Sequence, residues 1–582
     1  MAYSPWLHPH CLLACLLLLP ASPTLLPAAS DGALLLEQEE LHHYSLLHQL
    51  RQLVRQGKLK EAICLYQQQR ANDESAHRFE LLEQLAIELV LEASKSEQES
   101  SRKIALLAAA FSGDELLRPL LHRTAEEGPP QLQLLAFQLM AQLQDPALDR
   151  MLRRTLLHAP HPLLRLIAIS LLIEQGEPQA IGQLEALMQK LPEELWTLQP
   201  PLLAQIDSRE SHRLLRRLLF HPCTSVVIEA LHAIDLQQLS PLLPQVRSLL
   251  THSSSEVKEA ALHALASLGD SSALEEARRY CRHPQVETAI AANYAAYRLG
   301  GDKEAIAMLQ QLAQQGNLWA IQPLAQMGDP LLLLVPLQSH KEASVRVNAT
   351  IALLEHHCPS SLERLLELFG DQAPHLFWLP LSTPGKALSS YKLVPLERLS
   401  PEERPMAAEM ALRLQEEWLE ACYGCSEQLF LQLAEQLIGQ RHKGILPHLF
   451  ALLERHPSDG VTAFLEKESS HLGFPLVRHY STLTLFHQHQ KEEQYQQLID
   501  WLRNNWQRDL FSFRPAMGSN WLSPRSSYRL QPNEEAYLFL EILETVAARG
   551  DSQAIDLLLQ GLQESHPNHS PLLGALLLRC CL

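Results

Sequence analysis

The sequence predicts an all-α protein built as an α-solenoid, in which helical hairpins stack around one extended core. Leucine and alanine prevail, whereas aromatic residues make up only 6% of the 582 residues. This balance favours helices over strands. Apolar residues recur at helical spacing, and the same helical unit returns at a nearly fixed interval along the middle of the chain, which is typical of a repeat array.

The charge balance restricts the partners. The chain has 48 Lys and Arg against 66 Asp and Glu, a formal net charge of −18. An acidic protein repels nucleic-acid phosphates and anionic membrane surfaces. We therefore expect a protein or peptide partner and no nucleic acid.

Residues 1–30 are predicted to be a cleaved signal peptide. They contain no charged side chain and centre on the apolar run 11–19, which is shorter than the roughly twenty residues that a spanning helix needs. Small residues precede the predicted cleavage between Ser30 and Asp31. The protein is thus expected to be exported, to a bacterial periplasm or outside the cell. The alternative is a lipoprotein box that ends at Cys15, which would then be the lipidated anchor.

Residues 31–119 are predicted to form an N-terminal helical region. The segment 56–66 is similar to the middle of a tetratricopeptide repeat, with Gly57, Ala62 and Tyr66 in the expected places. The sequence contains a single copy, so one helical hairpin that continues the stack explains the pattern equally well.

The clearest repeat unit covers residues 256–274. Its apolar side chains follow the i, i+3, i+4, i+7 spacing of an amphipathic helix, and they include Val257 and Ala261. Gly269 then suits a left-handed residue after the helix, and Asp270 can cap the next helix. The same pattern returns without gaps at 163–181, where Gly176 matches Gly269.

The repeat has a period of about 30 residues. One phase marker, defined by Val257, recurs along the chain at Leu132, Leu164, Val226, Val257, Val286, about Asn317 and Val345. One further copy is expected near Leu195, degenerate because Pro200 and Pro201 interrupt its helix. These copies predict a solenoid over residues 120–372.

These units resemble the short HEAT repeats of the phycobilisome-lyase-like HEAT family. The resemblance rests on an aliphatic–basic pair, on the alanines that follow it and on the Gly-Asp close. The pairs are Leu164-Arg165, Val257-Lys258 and Val345-Arg346. The family implies an α-solenoid in which the basic residue supports the neighbouring turn, so Arg165, Lys258 and Arg346 are assigned to structure.

Two regions follow the repeats. Residues 373–405 contain six prolines and are predicted to be a connecting loop. Residues 406–582 return to helical patterns, and we expect this C-terminal helical region to cap the solenoid.

An irregular stretch within the C-terminal region is the candidate protein-binding loop. Long loops in compact proteins are often functional, and aromatic and arginine side chains are common in binding hot spots. The candidates are Phe511, Phe513, Arg514, Trp521, Arg525, Tyr528 and Arg529. The alternative, which the usual burial of aromatic residues favours, is that these aromatic side chains pack the loop against the helices and bind no partner.

No motif in the sequence predicts catalysis. The common nucleotide, metalloprotease and hydrolase signatures are missing. Cys422 and Cys425 form a lone CxxC in an apparent helix, without the second pair that a zinc site needs. We therefore expect no catalytic residue, no metal and no cofactor.

The sequence thus predicts an exported, non-enzymatic scaffold that binds a protein or peptide, preferably a basic or amphipathic segment, on the solenoid surface. No membrane insertion is expected after signal cleavage. Two alternatives stay open. The resemblance to phycobilin lyases implies an enzyme that attaches a bilin, and lipidation at Cys15 would make the protein a structural component of the envelope.

Overall fold

The computed structural model describes most of the chain. The described residues are 31–72, 77–159, 161–188, 190–369, 376–380, 390–401, 403–470, 473–510 and 534–581. They form thirty α-helices and one two-stranded sheet, with short 3-10 turns between several helices. The predicted all-α fold class is confirmed.

The helices follow one another as antiparallel hairpins. The N-terminal helices are α1 (Asp31–Arg55), α2 (Leu59–Asn72), α3 (His77–Ser94) and α4 (Glu99–Ser112). The next are α5 (Arg118–Glu127), α6 (Pro130–Gln142), α7 (Leu148–His158), α8 (Pro162–Glu174), α9 (Gln179–Met188), α10 (Gln199–Ala204), α11 (Arg209–Leu218) and α12 (Thr224–Leu236). The array continues with α13 (Leu243–Ser248), α14 (Ser255–Ser267), α15 (Leu274–Tyr280), α16 (Val286–Gly300), α17 (Lys303–Gln314), α18 (Ile321–Ala325), α19 (Pro330–Leu334), α20 (Ala343–Glu355) and α21 (Leu362–Leu368).

The C-terminal part repeats this organisation after a short hairpin of strands. The strands are β1 (Leu376–Pro380) and β2 (Tyr391–Pro395). The helices are α22 (Glu403–Cys425), α23 (Glu427–Gly439), α24 (Leu446–Arg455), α25 (Asp459–Ser469), α26 (Pro475–His489), α27 (Glu492–Asn505), α28 (Glu534–Arg549), α29 (Ser552–Glu564) and α30 (Ser570–Cys581).

The helices form two layers. From α4 to α30, most even-numbered helices pack directly against the next even-numbered helix, whereas successive odd-numbered helices mostly contact only their hairpin partners. In a curved stack the more closely spaced layer lies on the concave side. From α4 onward we therefore call the even-numbered helices the inner layer and the odd-numbered helices the outer layer. At the start of the chain, α3 packs against α30 of the inner layer and α2 against α29 of the outer layer.

Small residues allow the inner helices to approach one another. In α14 the side chains of Ala260, Ala261 and Ala264 are buried, and in α16 those of Ala292 and Ala295 are buried too. Without bulky side chains at these positions, neighbouring backbones lie close, and the inner helices are in contact on both sides.

The two ends of the chain meet. Helix α30 packs against α3 and α4, and its Arg579 guanidinium lies 4.9 Å from the ring centre of Phe111 in α4. The outer layer closes as well, through an ion pair between Arg70 of α2 and Asp556 of α29. The helix contacts therefore form a closed cycle, and the C-terminal helices join both ends of the array.

Several helices begin after a histidine that caps its own turn. At four such positions the imidazole Nδ1 accepts a hydrogen bond from the backbone N–H two residues later, at 3.0 to 3.2 Å. These histidines are His221, His252, His283 and His340. The ring nitrogen thus takes the role that an aspartate or asparagine oxygen has in an Asx-turn.

The structure corrects the repeat phase at two places. Val286 is 39% exposed, whereas Thr288 is fully buried and lies five residues after His283, as Val257 lies five residues after His252. Thr288 is therefore the equivalent of Val257. In the degenerate copy, Pro200 and Pro201 do not interrupt a helix but lie in the first turn of α10, where proline needs no N–H partner.

The segment that was predicted to be a connecting loop contains the strand pair. β1 and β2 are antiparallel, with Leu376 opposite Pro395 and Pro380 opposite Tyr391. The buried Asn348 of α20 fixes this hairpin, because its amide accepts from the Tyr391 N–H at 2.8 Å and donates to the Tyr391 carbonyl at 2.7 Å.

The glycines and arginines that the repeat pattern assigns to structure adopt the predicted turn conformation or bond to nearby backbone and side-chain groups. Gly176 and Gly269 are left-handed, with φ of 81° and 71°. Arg165 donates to the Ala159 carbonyl at 2.6 Å. Arg346 donates to the carbonyls of His340 and Lys341, and to Glu367.

Lys258 and Asp270, the other two polar residues that the repeat pattern assigns to structure, make different contacts. Lys258 lies over the ring of Tyr280, with 5.7 Å from Nζ to the ring centre. Asp270 caps the next turn by accepting from Ser272 N–H, and it also pairs with Arg247 at 2.7 Å.

Candidate functional site: the inner stripe

The inner helices leave only a narrow line of side chains unburied by their neighbours. In α12 the residues Glu229 and His232 are half-buried and Leu236 is 80% exposed, while the other faces of the helix are packed. These residues are spaced by three or four positions, so they lie on one face. We call this line, and its continuation on the other inner helices, the inner stripe.

Side chains of adjacent inner helices touch along the stripe. Asp235 of α12 lies 3.1 Å from Nδ1 of His263 in α14. The His263 ring stacks on Tyr294 of α16, with 4.9 Å between ring centres. The Tyr294 hydroxyl donates to Gln326, just after α18, at 2.7 Å. One polar track thus crosses four successive repeats.

The surroundings shift the pKa values of the ionisable groups on the stripe in different directions. Burial raises the pKa of Glu229. The pKa of His232 is lowered by burial and by the neighbouring His263. Burial would also raise the pKa of Asp235, but hydrogen bonds from His263 and Ser267 keep it below its ordinary value. At neutral pH, Asp235 is therefore ionised and His232 is neutral.

Acidic side chains continue the stripe beyond α18. Glu355 of α20 and Glu417 of α22 are exposed, but the surrounding inner helices partly desolvate their carboxyl groups. This desolvation raises the pKa of both carboxyls, and the charge of Glu417 raises that of Glu355 further. Glu420 then lies 3.4 Å from His448 and 3.1 Å from Arg455, both in α24.

The last quarter of the stripe combines carboxyl groups with His487 and Arg579. His487 of α26 bridges Glu454 of α24 and Thr545 of α28, each at 2.9 Å. Burial and the adjacent Glu541 raise the pKa of Glu544 to about 7. Carboxylates thus line the stripe over α20 to α28. Two of them pair with Arg455 and Arg579, and a cationic ligand would stabilise the ionised form of the others.

Several predicted functional residues lie outside the described residues. They are the signal-cleavage residue Ser30, the lipidation candidate Cys15 and the whole candidate loop of Phe511, Phe513, Arg514, Trp521, Arg525, Tyr528 and Arg529. Asp31, the other residue of the predicted cleavage, is the first residue of α1.

The thiols of Cys422 and Cys425, the lone CxxC pair, have raised pKa values. Cys422 is buried at the end of α22, and burial raises the pKa of its thiol to about 12. The pKa of Cys425 is also raised, by burial and by the nearby Cys358. Reactive thiols have lowered pKa values, so these groups lack the activation that a nucleophile or redox centre needs.

The described residues show neither a metal-binding cluster nor a membrane-spanning helix. They contain no group of three or more His, Cys, Asp or Glu side chains arranged to hold a metal ion. Within the same ranges, the helices are either too short or too polar to cross a bilayer.

The repeat phase of the sequence indicates part of the inner stripe. His232 and His263 both stand six residues after the phase marker of their repeat, at Val226 and Val257. Placing polar residues on the repeat phase would have found this pair. The acidic part of the stripe was harder to find, because the phase is weak after residue 369.

The layered architecture defines the class of protein: an α-solenoid of stacked helical hairpins. Residues 239–328 match the family of HEAT repeats, so the chain contains HEAT repeats, and the predicted recognition as a HEAT-repeat protein is confirmed.

Among the solved structures that are similar to the chain is the complex of CpcE and CpcF of phycocyanin lyase from Nostoc sp. PCC7120. The identity is 20%, the match covers 38% of this chain and 91% of that chain, and the TM-score is 0.29. A TM-score this low supports no inference about activity. No curated protein matches the chain.

Proposed function

We propose that the protein is a non-enzymatic scaffold that binds a segment of a partner protein along the inner stripe. One observation carries this proposal: polar side chains of consecutive inner helices form a connected track, with exposed Leu236 beside it. Solenoid proteins use their concave face for binding because each repeat adds a few side chains to one extended surface.

The composition of the stripe favours a basic or amphipathic segment. Burial raises the pKa values of its carboxyl groups Glu355, Glu417 and Glu544. A cationic segment would stabilise their ionised forms, and apolar side chains would contact the exposed Leu236.

Site-specific photocrosslinking tests the binding surface. A photoreactive amino acid is placed at Leu236 of the inner layer, or at Leu157 of the outer helix α7 as the matched control, which is 62% exposed. In producing cells the inner position is expected to yield one crosslinked protein, mapped to a single basic or amphipathic segment. Equal crosslinking of both positions to the same segment would contradict the proposal.

We also propose that the protein is exported. The uncharged segment 1–30 with its short apolar run supports this proposal. Mass spectrometry of the mature N-terminus in fractionated cells distinguishes the possibilities. A chain that begins at Asp31 agrees with signal cleavage, acylated Cys15 would indicate an envelope lipoprotein, and an intact Met1 in the cytoplasm would refute export.

A further inference from the structure

One part of the inner stripe contains buried imidazole nitrogens without hydrogen-bond partners among the described residues. It comprises Glu229, His232 and Asp235 of α12 together with His263 of α14, and we call it the α12–α14 site. The Nε2 atoms of His232 and His263 are both buried, and neither has a hydrogen-bond partner among the described residues. A buried polar atom without a partner costs free energy and is rare in folded proteins.

The hydrogen bond to Asp235 defines what His263 offers. Its Nδ1 lies 3.1 Å from the Asp235 carboxylate, so in the neutral imidazole the proton is on Nδ1. Nε2 then has a free lone pair and can only accept. The stacked ring of Tyr294 holds the imidazole in this orientation.

The charged groups of the site also favour a cationic ligand. Glu229 has no ion pair in the described part of the chain, and burial alone accounts for its raised pKa. Helices α12 and α14 contribute no Lys or Arg to the stripe, since α12 contains neither and Lys258 of α14 lies over Tyr280. Arg298 of α16 is near Tyr294, one helix further along. The site therefore combines two carboxylates with the Nε2 acceptor of His263 and the unpartnered Nε2 atom of His232.

We propose that the α12–α14 site binds the guanidinium group of an arginine side chain. A guanidinium has five N–H donors in a planar fork, so it can satisfy acceptors on two helices at once, whereas a lysine ammonium acts as a point charge. The exposed Leu236, four residues after His232, would contact the methylene groups of the same arginine. This inference rests on the proposed function, because the arginine would belong to the bound segment.

The test uses the full chain with ¹⁵N-labelled histidines. The probe is Nα-acetyl-arginine methylamide, with the citrulline derivative as the neutral isostere and the lysine derivative as the other cation. His232→Gln and His263→Gln assign the two Nε2 signals. The arginine probe is expected to shift both signals, and the citrulline and lysine derivatives to bind at least about fivefold more weakly, since they lack the charge or the donor fork.

A set of variants connects the shifts to the site. Glu229→Gln is expected to weaken the arginine probe about tenfold, since it removes a charged acceptor. The control is His122→Gln in the outer helix α5, where a comparable imidazole lies 2.9 Å from Asp145, and it should leave binding unchanged. Thermal unfolding of each variant confirms that it is folded.

The inference is overturned if the arginine probe leaves both Nε2 signals unmoved, if the lysine derivative binds equally well, or if Glu229→Gln has no effect. These results are independent of the crosslinking experiment. Failure of the probe with inner-face crosslinking intact would refute only the arginine site, whereas loss of inner-face specificity in crosslinking would refute the proposed function itself.

Discussion

The outer helix α11 and the inner helix α12 show how differently the two layers use similar amphipathic sequences. Helix α11 buries one stripe and covers its outer side with ion pairs, for example from Arg213 and Arg217 to Glu185. Helix α12 is packed on several sides and leaves only the inner stripe open. Exposed ion pairs contribute little to stability. Most outer positions are therefore replaceable, whereas each inner position has either a packing role or a place on the stripe.

The largest expected difference between buried and exposed positions is in how strongly the free energy of unfolding falls at acid pH. Burial lowers the pKa of His479, in α26, and of His569, after α29, to about 4. In the unfolded chain an imidazole titrates near 6.5, so unfolding binds protons between these values. The stabilisation from the neutral imidazoles is complete above about pH 6.5 and is lost as the pH falls toward 4, by roughly 3 kcal/mol for each imidazole.

Urea unfolding between pH 7 and pH 4.5 measures this loss. His479→Phe is expected to make the dependence on pH shallower, whereas His158→Gln, on the exposed side of outer helix α7, should leave it unchanged. The raised pKa of Glu544 acts in the opposite direction, since its stabilisation is lost as the pH rises through about 7. This contribution is common to all variants, so it cancels in the comparison. Equal slopes for wild type and His479→Phe would contradict the prediction.

A second comparison enlarges one alanine in each layer. Ala261→Leu places a bulky side chain where α14 contacts its inner neighbours, and we expect a loss of about 2 to 3 kcal/mol in the free energy of unfolding. Ala307→Leu, on the exposed side of outer helix α17, should change it by less than about 0.5 kcal/mol. Chemical denaturation measures both values, and similar losses would show that the layers are equally packed.

The closure of the array predicts a similar contrast between two helical glycines. A Cβ on Gly574 of α30 would lie 3.0 Å from the carbonyl oxygen of Ala86 in α3, whereas a Cβ on Gly182 of α9 would meet open space. Gly574→Leu is expected to cost about 2 kcal/mol, and Gly182→Leu to be neutral or slightly stabilising. Calorimetry of the two variants decides, and an unaffected melting temperature for Gly574→Leu would argue against tight packing of α30 on α3.

The smallest expected effects concern the basic residue of the repeats. Arg346→Met removes two hydrogen bonds to backbone carbonyls and an ion pair, so it should cost about 1 to 2 kcal/mol. Lys258→Met removes only a distant contact with an aromatic ring and should cost less than about 0.5 kcal/mol. The resemblance to HEAT repeats assigns both residues the same role, so equal losses would favour the family pattern over the individual contacts.

Local patterns were sufficient to predict the helices, the left-handed glycines and the HEAT character, because these depend on helical periodicity and short turns. Gly176 and Gly269 are examples, since their conformation follows from the end of one helix. The prolines of α10 were misjudged because proline ends a helix or begins one according to its position, and the sequence did not define where the helix starts.

Contacts between distant residues could not be predicted in the same way. The hydrogen bonds from Asn348 to Tyr391 join residues 43 apart, and the pair of Arg70 and Asp556 joins residues 486 apart. The pair of Arg70 and Asp556 depends on the accumulated curvature of all the intervening repeats. The stripe falls between these cases. Its histidines follow the repeat phase, but the contacts of His263 with Asp235 and Tyr294 follow only from the packing of the inner layer.

The central claim, that the helix contacts form a closed cycle, is tested most directly by zero-length crosslinking between the ends of the chain. Arg70→Lys permits a carbodiimide to couple position 70 to Asp556, and the native ion pair of Lys467 with Glu435 in neighbouring outer helices is the internal control. Mixed isotopic labelling restricts the result to single chains. We predict a peptide that joins residues 70 and 556 at a yield comparable to the control. An efficient control reaction without this product would contradict the closed array.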